Sequence, residues 1–339
     1  MARPDNVLRP DGPDAIEGMP AGFGGAAVEF WPVGLRRLGG HQRILPPGLR
    51  TGPLHAHCFE EEVFYVLAGT LTARERAPGA EFDVEYALHP GDLVVYPPGT
   101  GLAHTFRNGG HVDAVFVALS DEQPGEVATY PESGKVLLRP LRGVGRFAGD
   151  PGPPNARPVR PLADADRPAH VVPAGSLPER DLGAAFGRPL SRSGGATAVF
   201  VNADRLPPGG QTGPAHWHSA DEELVLVLSG SPTLRQLRGQ PGAPEASGRP
   251  GHGVPDFDAA TEERTPLQPG DLVHFGPERA LAHQLLNESE SDALLLVVGT
   301  DDPQDLTAFP ESCRVYVKAL DRAGAFERAG YWDGEPTPL

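Results

Sequence analysis

The chain has 339 residues, enough for two domains of ordinary size, each with its own hydrophobic core. Its formal net charge of −16 disfavours nucleic acid and anionic membrane surfaces as partners, because both are bound through basic residues. Residues 1–20 carry charges and prolines without an apolar segment, and no apolar run approaches the roughly 18 residues that span a bilayer. We therefore expect a cytoplasmic protein with no signal peptide and no membrane contact.

Short apolar runs separated by turn residues dominate the chain. It contains 43 glycines and 39 prolines, and between them lie segments rich in Val, Leu, Phe and Tyr, such as residues 63–67. This pattern predicts an all-β protein with tight turns and little helix, the best helix candidate being residues 319–328. The two cysteines, Cys58 and Cys313, lie at unmatched positions, which argues against a framework disulfide and fits a reduced cytoplasm.

The strongest feature is a histidine motif that occurs twice. Each copy has two histidines two residues apart, a glutamate five residues after the second, and a third histidine further along the chain. The offset is 161 residues at the three leading positions (55 to 216, 57 to 218 and 62 to 223). A full set in two matched frames predicts two metal sites in two copies of one domain. The two sets are His55, His57, Glu62 and His104, and His216, His218, Glu223 and His283.

The internal duplication sets the predicted domain limits. The second copy gains 18 residues near 240–264, a stretch rich in Gly, Pro and Ala that predicts a loop, and the offset beyond it is 179. A proline-rich stretch lies between the copies and predicts a stiff, extended linker. We predict a first domain over residues 1–150, a linker over 151–168 and a second domain over 169–339.

Strand geometry explains why these residues suit a metal. Side chains two apart in a strand share a face, so His55 and His57 project together, and Glu62 shares a face with Phe64. Three imidazoles and a carboxylate suit Fe, Mn, Ni, Zn, Co or Cu without choosing among them. Such a set leaves one or two positions of a six-coordinate ion for water, oxygen or substrate, which is typical of a catalytic metal.

The motifs resemble those of the cupin superfamily. The pattern HxHx4Ex6G, ending at Gly69 and at Gly230, resembles the first cupin motif, and Gly91 and Pro97 followed by H-x3-N resemble the second. The resemblance implies a bicupin, with two tandem jelly-roll β-barrels that each hold a divalent transition metal through the four residues of one set. The tail, residues 331–335, is similar to the ends of small bacterial stand-alone cupins that have no settled activity.

The second copy departs from the pattern in the turn before its third histidine. Glu278 replaces Gly99, and Ala280 replaces Gly101. If Gly99 has a positive φ, then Glu278 must strain or reshape that turn. We therefore expect the chemistry in the first barrel.

Further residues are candidates for the substrate pocket. Arg50 either reaches a substrate anion or is a solvated side chain, and Phe64 and Phe106 either line a pocket or belong to the barrel core. Glu62 is the candidate catalytic residue, either as a lasting ligand or as a base. His274 is either a second acid or base or a histidine on the outer face of its barrel.

These observations lead to three functional hypotheses. The first is a metal-dependent enzyme acting on a small organic substrate, with dioxygenase chemistry first and isomerase or decarboxylase chemistry close behind. The second is a non-enzymatic protein that binds a sugar or another small molecule. The third has one active barrel and one structural barrel. Up to two metals per chain are expected, and the sequence leaves the metal, the substrate and assembly into a homo-oligomer open.

Overall fold

The computed structural model describes residues 4–8, 15–17, 28–30, 35–148, 157–240 and 256–326, so the cupin-like tail at 331–335 lies outside the described residues. Within these ranges no helix is long and apolar enough to cross a membrane. The strands are β1 (Val7–Leu8), β2 (Ala15–Glu17), β3 (Val28–Phe30), β4 (Gly39–Leu45), β5 (Ala56–His57), β6 (Glu62–Ala68), β7 (Leu71–Arg76), β8 (Asp83–Leu88), β9 (Asp92–Tyr96), β10 (Ala103–Arg107), β11 (Ala114–Ser120), β12 (Val127–Tyr130), β13 (Lys135–Leu138), β14 (Gly143–Gly145), β15 (Val159–Pro161), β16 (Val171–Pro173), β17 (Arg180–Asp181), β18 (Phe186–Pro189), β19 (Val199–Leu206), β20 (Trp217–His218), β21 (Glu223–Ser229), β22 (Thr233–Gln240), β23 (Asp256–Pro266), β24 (Leu272–Phe275), β25 (Leu281–Leu286), β26 (Ala293–Thr300), β27 (Leu306–Phe309), β28 (Arg314–Val317) and β29 (Arg322–Ala325).

Helical structure is limited to single turns in these ranges. They comprise the α-helical turn α1 (Leu190–Ser193) and the 3-10 helices Arg139–Leu141, Asp164–Asp166, Ala174–Ser176, Pro277–Arg279, Pro310–Ser312 and Lys318–Leu320. The helix predicted over 319–328 is wrong over its described part. A left-handed residue, Asp321 at φ 47°, ends the last 3-10 turn, and β29 then pairs with β28.

Two jelly-roll barrels account for most of the strands, as the sequence predicted. The first barrel has a seven-stranded sheet, β16-β9-β6-β11-β4-β3-β2, which packs against the four-stranded sheet β10-β7-β8-β15. The second has the matching sheet β1-β24-β21-β26-β19-β18-β17, which packs against β23-β22-β25. Each barrel is accompanied by a small sheet, β14-β13-β12-β5 in the first and β20-β27-β28-β29 in the second.

The two barrels exchange their edge strands. Strand β16 follows the linker but pairs with β9 of the first barrel, where Val171 lies opposite Val94. Strand β1 precedes the first barrel but pairs with β24 of the second, where Val7 lies opposite Val273. Each exchanged strand covers a sheet edge that would otherwise present unpaired backbone groups. The predicted limits at residues 150 and 169 separate each of these two strands from the barrel whose sheet it joins.

The linker and the insertion also contain strands that the sequence did not predict. In the linker, β15 pairs in parallel with β8 of the first barrel. In the insertion, the loop predicted over 240–264 is wrong where it is described, because β23 begins at Asp256 and extends the hairpin with β22. Residues 241–255 lie outside the described ranges.

Along β6 and β21, apolar side chains point alternately into the interior of their own barrel and into a core between the two barrels. Phe64 and Val66 face the interior of the first barrel, and Val225 and Val227 face the interior of the second. The residues between them pack into a third core that joins the outer faces of the two large sheets. This period of two is the pattern expected of strands buried on both faces. The joint core includes Val63, Tyr65, Val117 and Leu119 from the first barrel, and Leu224, Leu226, Leu296 and Val298 from the second.

The glycine that ends each histidine motif is required by close packing. Gly69 has φ 71°, and a Cβ there would lie 2.5 Å from the carbonyl oxygen of Asp113. Gly230 has φ 83°, and a Cβ there would lie 2.7 Å from the carbonyl oxygen of Asp292. Both positions thus exclude a side chain by space as well as by backbone conformation.

The turn before the third histidine is reshaped in the second barrel, as its sequence requires. Gly99 and Gly101 have φ values of 71° and 69° in the first barrel. In the second, Pro277–Arg279 forms a 3-10 helix, and the left-handed conformation falls on Ala280 at φ 49°. A left-handed alanine costs about 1 kcal/mol relative to the right-handed form.

Candidate metal centres

Two backbone bridges bring distant histidines together. His55 donates its N–H to the carbonyl of His104 at 3.2 Å, and His104 donates back at 2.8 Å, so the two rings lie on one side with centroids 4.8 Å apart. His216 and His283 form the same bridge, with centroids 4.6 Å apart. The bridges place the third histidine of each set beside the first, although 49 and 67 residues separate them in sequence (55 to 104 and 216 to 283).

The first set converges on one carboxylate oxygen. Glu62 Oε2 lies 3.1 Å from His57 Nε2, 2.8 Å from His104 Nε2 and 3.9 Å from His55 Nε2. The buried Nε2 atoms of His57 and His104 and the Glu62 oxygen have no partner with hydrogen-bond geometry among the described residues. Buried polar atoms without partners are costly unless an ion satisfies them. Nitrogen and carboxylate groups arranged in this way fit a divalent transition metal.

The second set has the same arrangement with wider spacing. Glu223 Oε2 lies 3.8, 3.7 and 3.5 Å from the Nε2 atoms of His216, His218 and His283. The Nε2 of His283 is buried, and no described residue makes a hydrogen bond with it. The second set therefore also fits a divalent metal.

The outer ring nitrogens of each HxH pair are held by hydrogen bonds. His55 Nδ1 lies 2.9 Å from the carbonyl oxygen of Pro53, and His216 Nδ1 lies 3.0 Å from that of Pro214. A proton on Nδ1 satisfies these carbonyls and leaves Nε2 as the lone-pair donor. The backbone thus selects the tautomer that a metal requires.

The second histidine of each pair is held by a buried carboxylate that sequence reasoning missed. His57 Nδ1 lies 3.1 Å from Glu126 Oε1, and His218 Nδ1 lies 2.7 Å from Asp305 Oδ2. Burial alone would raise the pKa of Glu126, but the hydrogen bond with His57 lowers it below its ordinary value. Glu126 and Asp305 occupy matched positions at the 179-residue offset, the one signal in the sequence that could have found them.

Glu126 also fixes the turn between the HxH pair and Glu62. Its two oxygens accept hydrogen bonds from the backbone N–H groups of Cys58, Phe59 and Glu60 at 3.1, 2.9 and 2.8 Å. Asp305 accepts a hydrogen bond from the N–H of Ala220 at 2.9 Å in the second barrel. One carboxylate thus positions both a candidate ligand and the turn that carries the next one.

The third histidine of each set is stacked on an aromatic ring. Tyr96 lies against His104 with centroids 3.7 Å apart and an interplanar angle of 12°, and Phe275 lies against His283 at 3.5 Å and 5°. In the first barrel, the Tyr96 hydroxyl donates to the buried Glu75 carboxylate at 2.8 Å. The stack restricts the ring of the third histidine.

A cavity of about 130 Å³ opens beside the first set. Phe64, Phe106 and Tyr130 contribute aromatic walls, and His41 and Arg43 line the cavity from β4. The predicted ligands His55, Glu62 and His104 also line it. Any ion held by these residues would therefore face a partly open space large enough for a small organic molecule.

Arg50 does not reach this cavity. Its side chain is exposed, and its neighbour Thr51 lines the cavity instead, because adjacent side chains in extended chain point in opposite directions. The exposed side chain of Arg50 agrees with the solvated alternative that the sequence left open, and Arg43 supplies the cavity's guanidinium group. His274 lies on the outer face of its barrel, where it is buried in the interface between the barrels, 4.0 Å from Glu222.

Asn108 and Asn287 close their motifs as turn-forming residues. Asn108 Nδ2 donates to the carbonyls of Leu45 and Val112, both at 2.7 Å. Asn287 makes the matching bonds to Leu206 at 2.8 Å and Ser291 at 2.7 Å. The asparagines thus shape the barrel ends and take no place among the candidate ligands.

Comparison with known proteins agrees with this architecture. The family model described as a cupin domain matches residues 42–120, which contain the complete first set. The chain also resembles oxalate decarboxylase from Lactobacillus farciminis, in complex with formate, at 15% identity and a TM-score of 0.55, over 89% of this chain and 87% of that one. Oxalate decarboxylase from Bacillus subtilis matches at 14% identity and a TM-score of 0.56, over 89% and 78%. The chain has the fold of a bicupin. No curated protein sequence matches it.

The two barrels of this bicupin differ in the polar groups on their inner walls. Inward positions of β4 carry His41 and Arg43, and the matched positions of β19 carry Asn202 and Asp204. Burial and the neighbouring Arg43 lower the pKa of His41 to about 3, so its ring is neutral at pH 7. Burial and the Glu223 charge raise the pKa of Asp204 to about 7. The inner wall of the first barrel thus carries a guanidinium group, and that of the second carries a carboxyl group.

Proposed function

We propose that this bicupin is a metal-dependent enzyme whose first barrel converts a small organic substrate, with dioxygenase-type oxidoreductase chemistry as the leading assignment. The proposal is supported by the position of His104 Nε2 and Glu62 Oε2, which have no hydrogen-bond partner among the described residues. Both side chains border a cavity with aromatic walls. A structural ion needs no such cavity, whereas a catalytic ion needs access for a reactant.

The residues of the first barrel have defined roles in this proposal. His55, His57, Glu62 and His104 hold the ion, which supplies Lewis acidity or oxygen activation when bound. Phe64 and Phe106 exclude water from the reacting groups. Glu62 contributes its charge at the ion and is the one carboxylate among the described residues that line the cavity.

A decarboxylase without net oxygen consumption is the second candidate. It is favoured by the arrangement shared with the oxalate decarboxylases, one of which, from Bacillus subtilis, has Mn(II) centres. At 14–15% identity the likeness concerns the fold, so the reaction must be tested directly. Isomerase chemistry and non-enzymatic ligand binding remain alternatives.

We further propose that the second barrel is structural. Its set fits a metal, but Asn202 and Asp204 replace His41 and Arg43 on its inner wall, and its turn before the third histidine is reshaped. Each barrel remains one unit of the duplication, with residues 1–150 and 169–339 as proposed domains. The reduced cytoplasm remains a proposal, which Cys58 and Cys313, both free thiols, support.

The test combines metal identification with an oxygen-dependent screen. Protein loaded in turn with Fe, Mn, Ni, Co, Cu and Zn is offered small keto acids, diketones and dicarboxylates, with and without oxygen. Dioxygenase activity requires stoichiometric oxygen uptake that His104→Ala abolishes and that His283→Ala leaves intact. Turnover that releases carbon dioxide without oxygen uptake supports the decarboxylase. Ligand-induced thermal stabilisation without turnover under any metal supports a binding protein and contradicts the proposal.

A further inference from the structure

Tyr130 places its ring at the cavity beside the first candidate metal centre. It ends β12, and Ala128, two residues earlier on that strand, is fully buried, so both side chains face the barrel. The ring of Tyr130 lies against that of His55, with centroids 6.0 Å apart and an interplanar angle of 26°. The N–H groups of Ser133 and Gly134 donate to the Tyr130 carbonyl oxygen at 3.1 and 2.9 Å, which fixes the end of the strand. Backbone and ring contacts together hold this side chain at the cavity wall.

The hydroxyl of Tyr130 is uncommitted, in contrast to the other hydroxyl at the cavity. Thr51 Oγ1 accepts a hydrogen bond from the N–H of Phe106 at 3.2 Å. The Tyr130 hydroxyl makes no hydrogen bond with any described residue. Burial raises the pKa of Tyr130, and the nearby charge of Glu62 raises it further, so the hydroxyl keeps its proton at pH 7. The cavity thus has a hydrogen-bond donor that the folded chain leaves unused.

The second barrel has a phenylalanine at the matched position. Phe309 ends β27 at the 179-residue offset, and its ring centroid lies 6.2 Å from that of His216. An aromatic ring beside the first histidine is therefore common to both barrels, whereas the hydroxyl is specific to the first. Since the ring suffices for this packing, the hydroxyl of Tyr130 is available to a ligand.

We propose that Tyr130 is a substrate-binding residue of the first barrel, whose hydroxyl donates a hydrogen bond to an anionic oxygen of the small organic molecule that occupies the cavity. An oxygen that bears charge gains most from this donor, because charge-assisted hydrogen bonds are the stronger ones. The substrate class is therefore a small carboxylate or enolate. The inference rests on the proposed function and deepens it, since it names the substrate class and a residue that orients the substrate.

Cobalt-loaded protein tests the proposal by ligand binding, without requiring turnover. All proteins compared carry His218→Ala, which leaves cobalt in the first barrel alone. Each is titrated with acetate, which offers anionic oxygens, and with pyridine, whose single nitrogen is used in binding cobalt. The visible cobalt spectrum reports binding, and circular dichroism and cobalt content establish that each protein is folded and loaded.

Tyr130→Phe introduces the residue of the second barrel and removes the hydroxyl alone. We expect it to weaken acetate binding by roughly 10-fold, the effect of losing a hydrogen bond to a charged group. The affinity for pyridine and the cobalt spectrum without added ligand stay unchanged. Tyr65→Phe is the matched control, because it makes the same chemical change at a residue that packs in the core between the barrels. It leaves the affinities for acetate and pyridine unchanged.

Two results would overturn the proposal. One is an unchanged acetate affinity in folded, cobalt-loaded Tyr130→Phe protein. The other is an equal loss of acetate and pyridine binding, which would indicate an altered cavity in place of a lost hydrogen bond.

The failure of this inference and that of the proposed function are distinguishable. Weaker acetate binding in Tyr130→Phe, with no turnover of any substrate under any metal, would contradict the proposed enzyme and leave the role of Tyr130 in ligand binding intact. Unchanged acetate affinity in a protein that does turn over a substrate would overturn the inference alone.

Discussion

Glu61 and Glu222 make the same contact in opposite directions across the interface between the barrels. Each is buried, and its carboxylate accepts backbone hydrogen bonds from three successive residues at the start of the other barrel's matched strand. The donors to Glu61 are Thr197, Ala198 and Val199 at 2.7, 3.0 and 2.8 Å, and those to Glu222 are Arg36, Arg37 and Leu38 at 2.8, 2.8 and 2.9 Å. The exchange follows the internal repeat and ties the two barrels together through buried charge.

Replacing either glutamate should therefore destabilise the whole chain. Glu61→Gln and Glu222→Gln are each expected to lower the free energy of unfolding by about 1–3 kcal/mol, because buried N–H groups lose a charged acceptor. Urea denaturation measures the change. Glu290→Gln, at an exposed glutamate, is the control and should fall within about 0.5 kcal/mol of the original protein. Equal midpoints for Glu61→Gln and Glu290→Gln would contradict the role of the interface contact.

The two metal centres should fill independently. We expect two equivalents of divalent metal per chain, with one lost in His57→Ala and the other in His218→Ala, since the sets share no ligand. Elemental analysis after dialysis measures the stoichiometry. Loss of both metals from either single variant would mean that the barrels do not load as separate units.

Glu126 and Asp305 should control metal affinity without being ligands. Glu126→Gln is expected to weaken the first site by about 10- to 100-fold, because His57 loses the carboxylate that orients its ring. Asp305→Asn should do the same to the second site alone, which makes each variant the control for the other. Competition with a chelator measures both affinities, and a variant that weakened the two sites equally would argue for a general loss of folding instead.

Substitutions in the exchanged strands should destabilise the barrel that each strand joins. Val7→Ala and Val171→Ala each remove a buried side chain, at a cost of about 1–3 kcal/mol. Hydrogen exchange should quicken in β24 for Val7→Ala and in β9 for Val171→Ala, since these are the strands with which the two valines pair. Faster exchange in the barrel nearer in sequence to each substitution would contradict the exchange of strands.

Asp83 should give the first barrel a measurable dependence on acid. Its buried carboxylate binds Arg76 at 2.6 Å and Arg74 at 2.9 Å. Burial alone would raise the pKa of Asp83, but the two guanidinium groups lower it below its ordinary value. The stability that the group contributes is therefore present above the unfolded pKa of about 3.9 and is lost as pH falls through the lower folded pKa.

Asp83→Asn, which resembles the protonated acid, tests the direction of this pH dependence. We expect it to destabilise the chain at pH 7 by about 3 kcal/mol and to differ less and less from the original protein as the pH falls below 4. Urea midpoints at several pH values measure the difference. A gap that stayed constant down to pH 2 would show that the charge of Asp83 does not contribute.

The local part of the site could be predicted from sequence. The spacing of His55, His57 and Glu62 places them on one side of a strand and its successor, and alternation separates Phe64 from Val63 correctly. The sequence left open whether Arg50 reaches the pocket, because nothing local to it decides which way its side chain points. Glu126 was not predicted because it is far from His57 in sequence and contacts it only in the folded chain.

The exchange of strands could not be predicted for a different reason. Val7 and Val171 lie in short apolar segments, and such a segment fits the edge of either barrel equally well by composition. Its partner is decided by the path of the chain across the interface, which alternation does not encode. The same holds for Glu61 and Glu222, whose hydrogen-bond donors are backbone N–H groups of the opposite barrel and are brought close only by the fold.

The crossed edges have a consequence for any attempt to divide the protein. A half containing the first barrel would keep β1, which has no sheet to join there, and would lack β16, which its own sheet requires. A half containing the second barrel would keep β16, which pairs with the first barrel, and would lack β1, which its own sheet requires. Two identical halves could restore the missing pairing by exchanging these segments with each other. The tandem chain thus makes within one polypeptide the strand exchange that separate single-barrel molecules would make as a dimer.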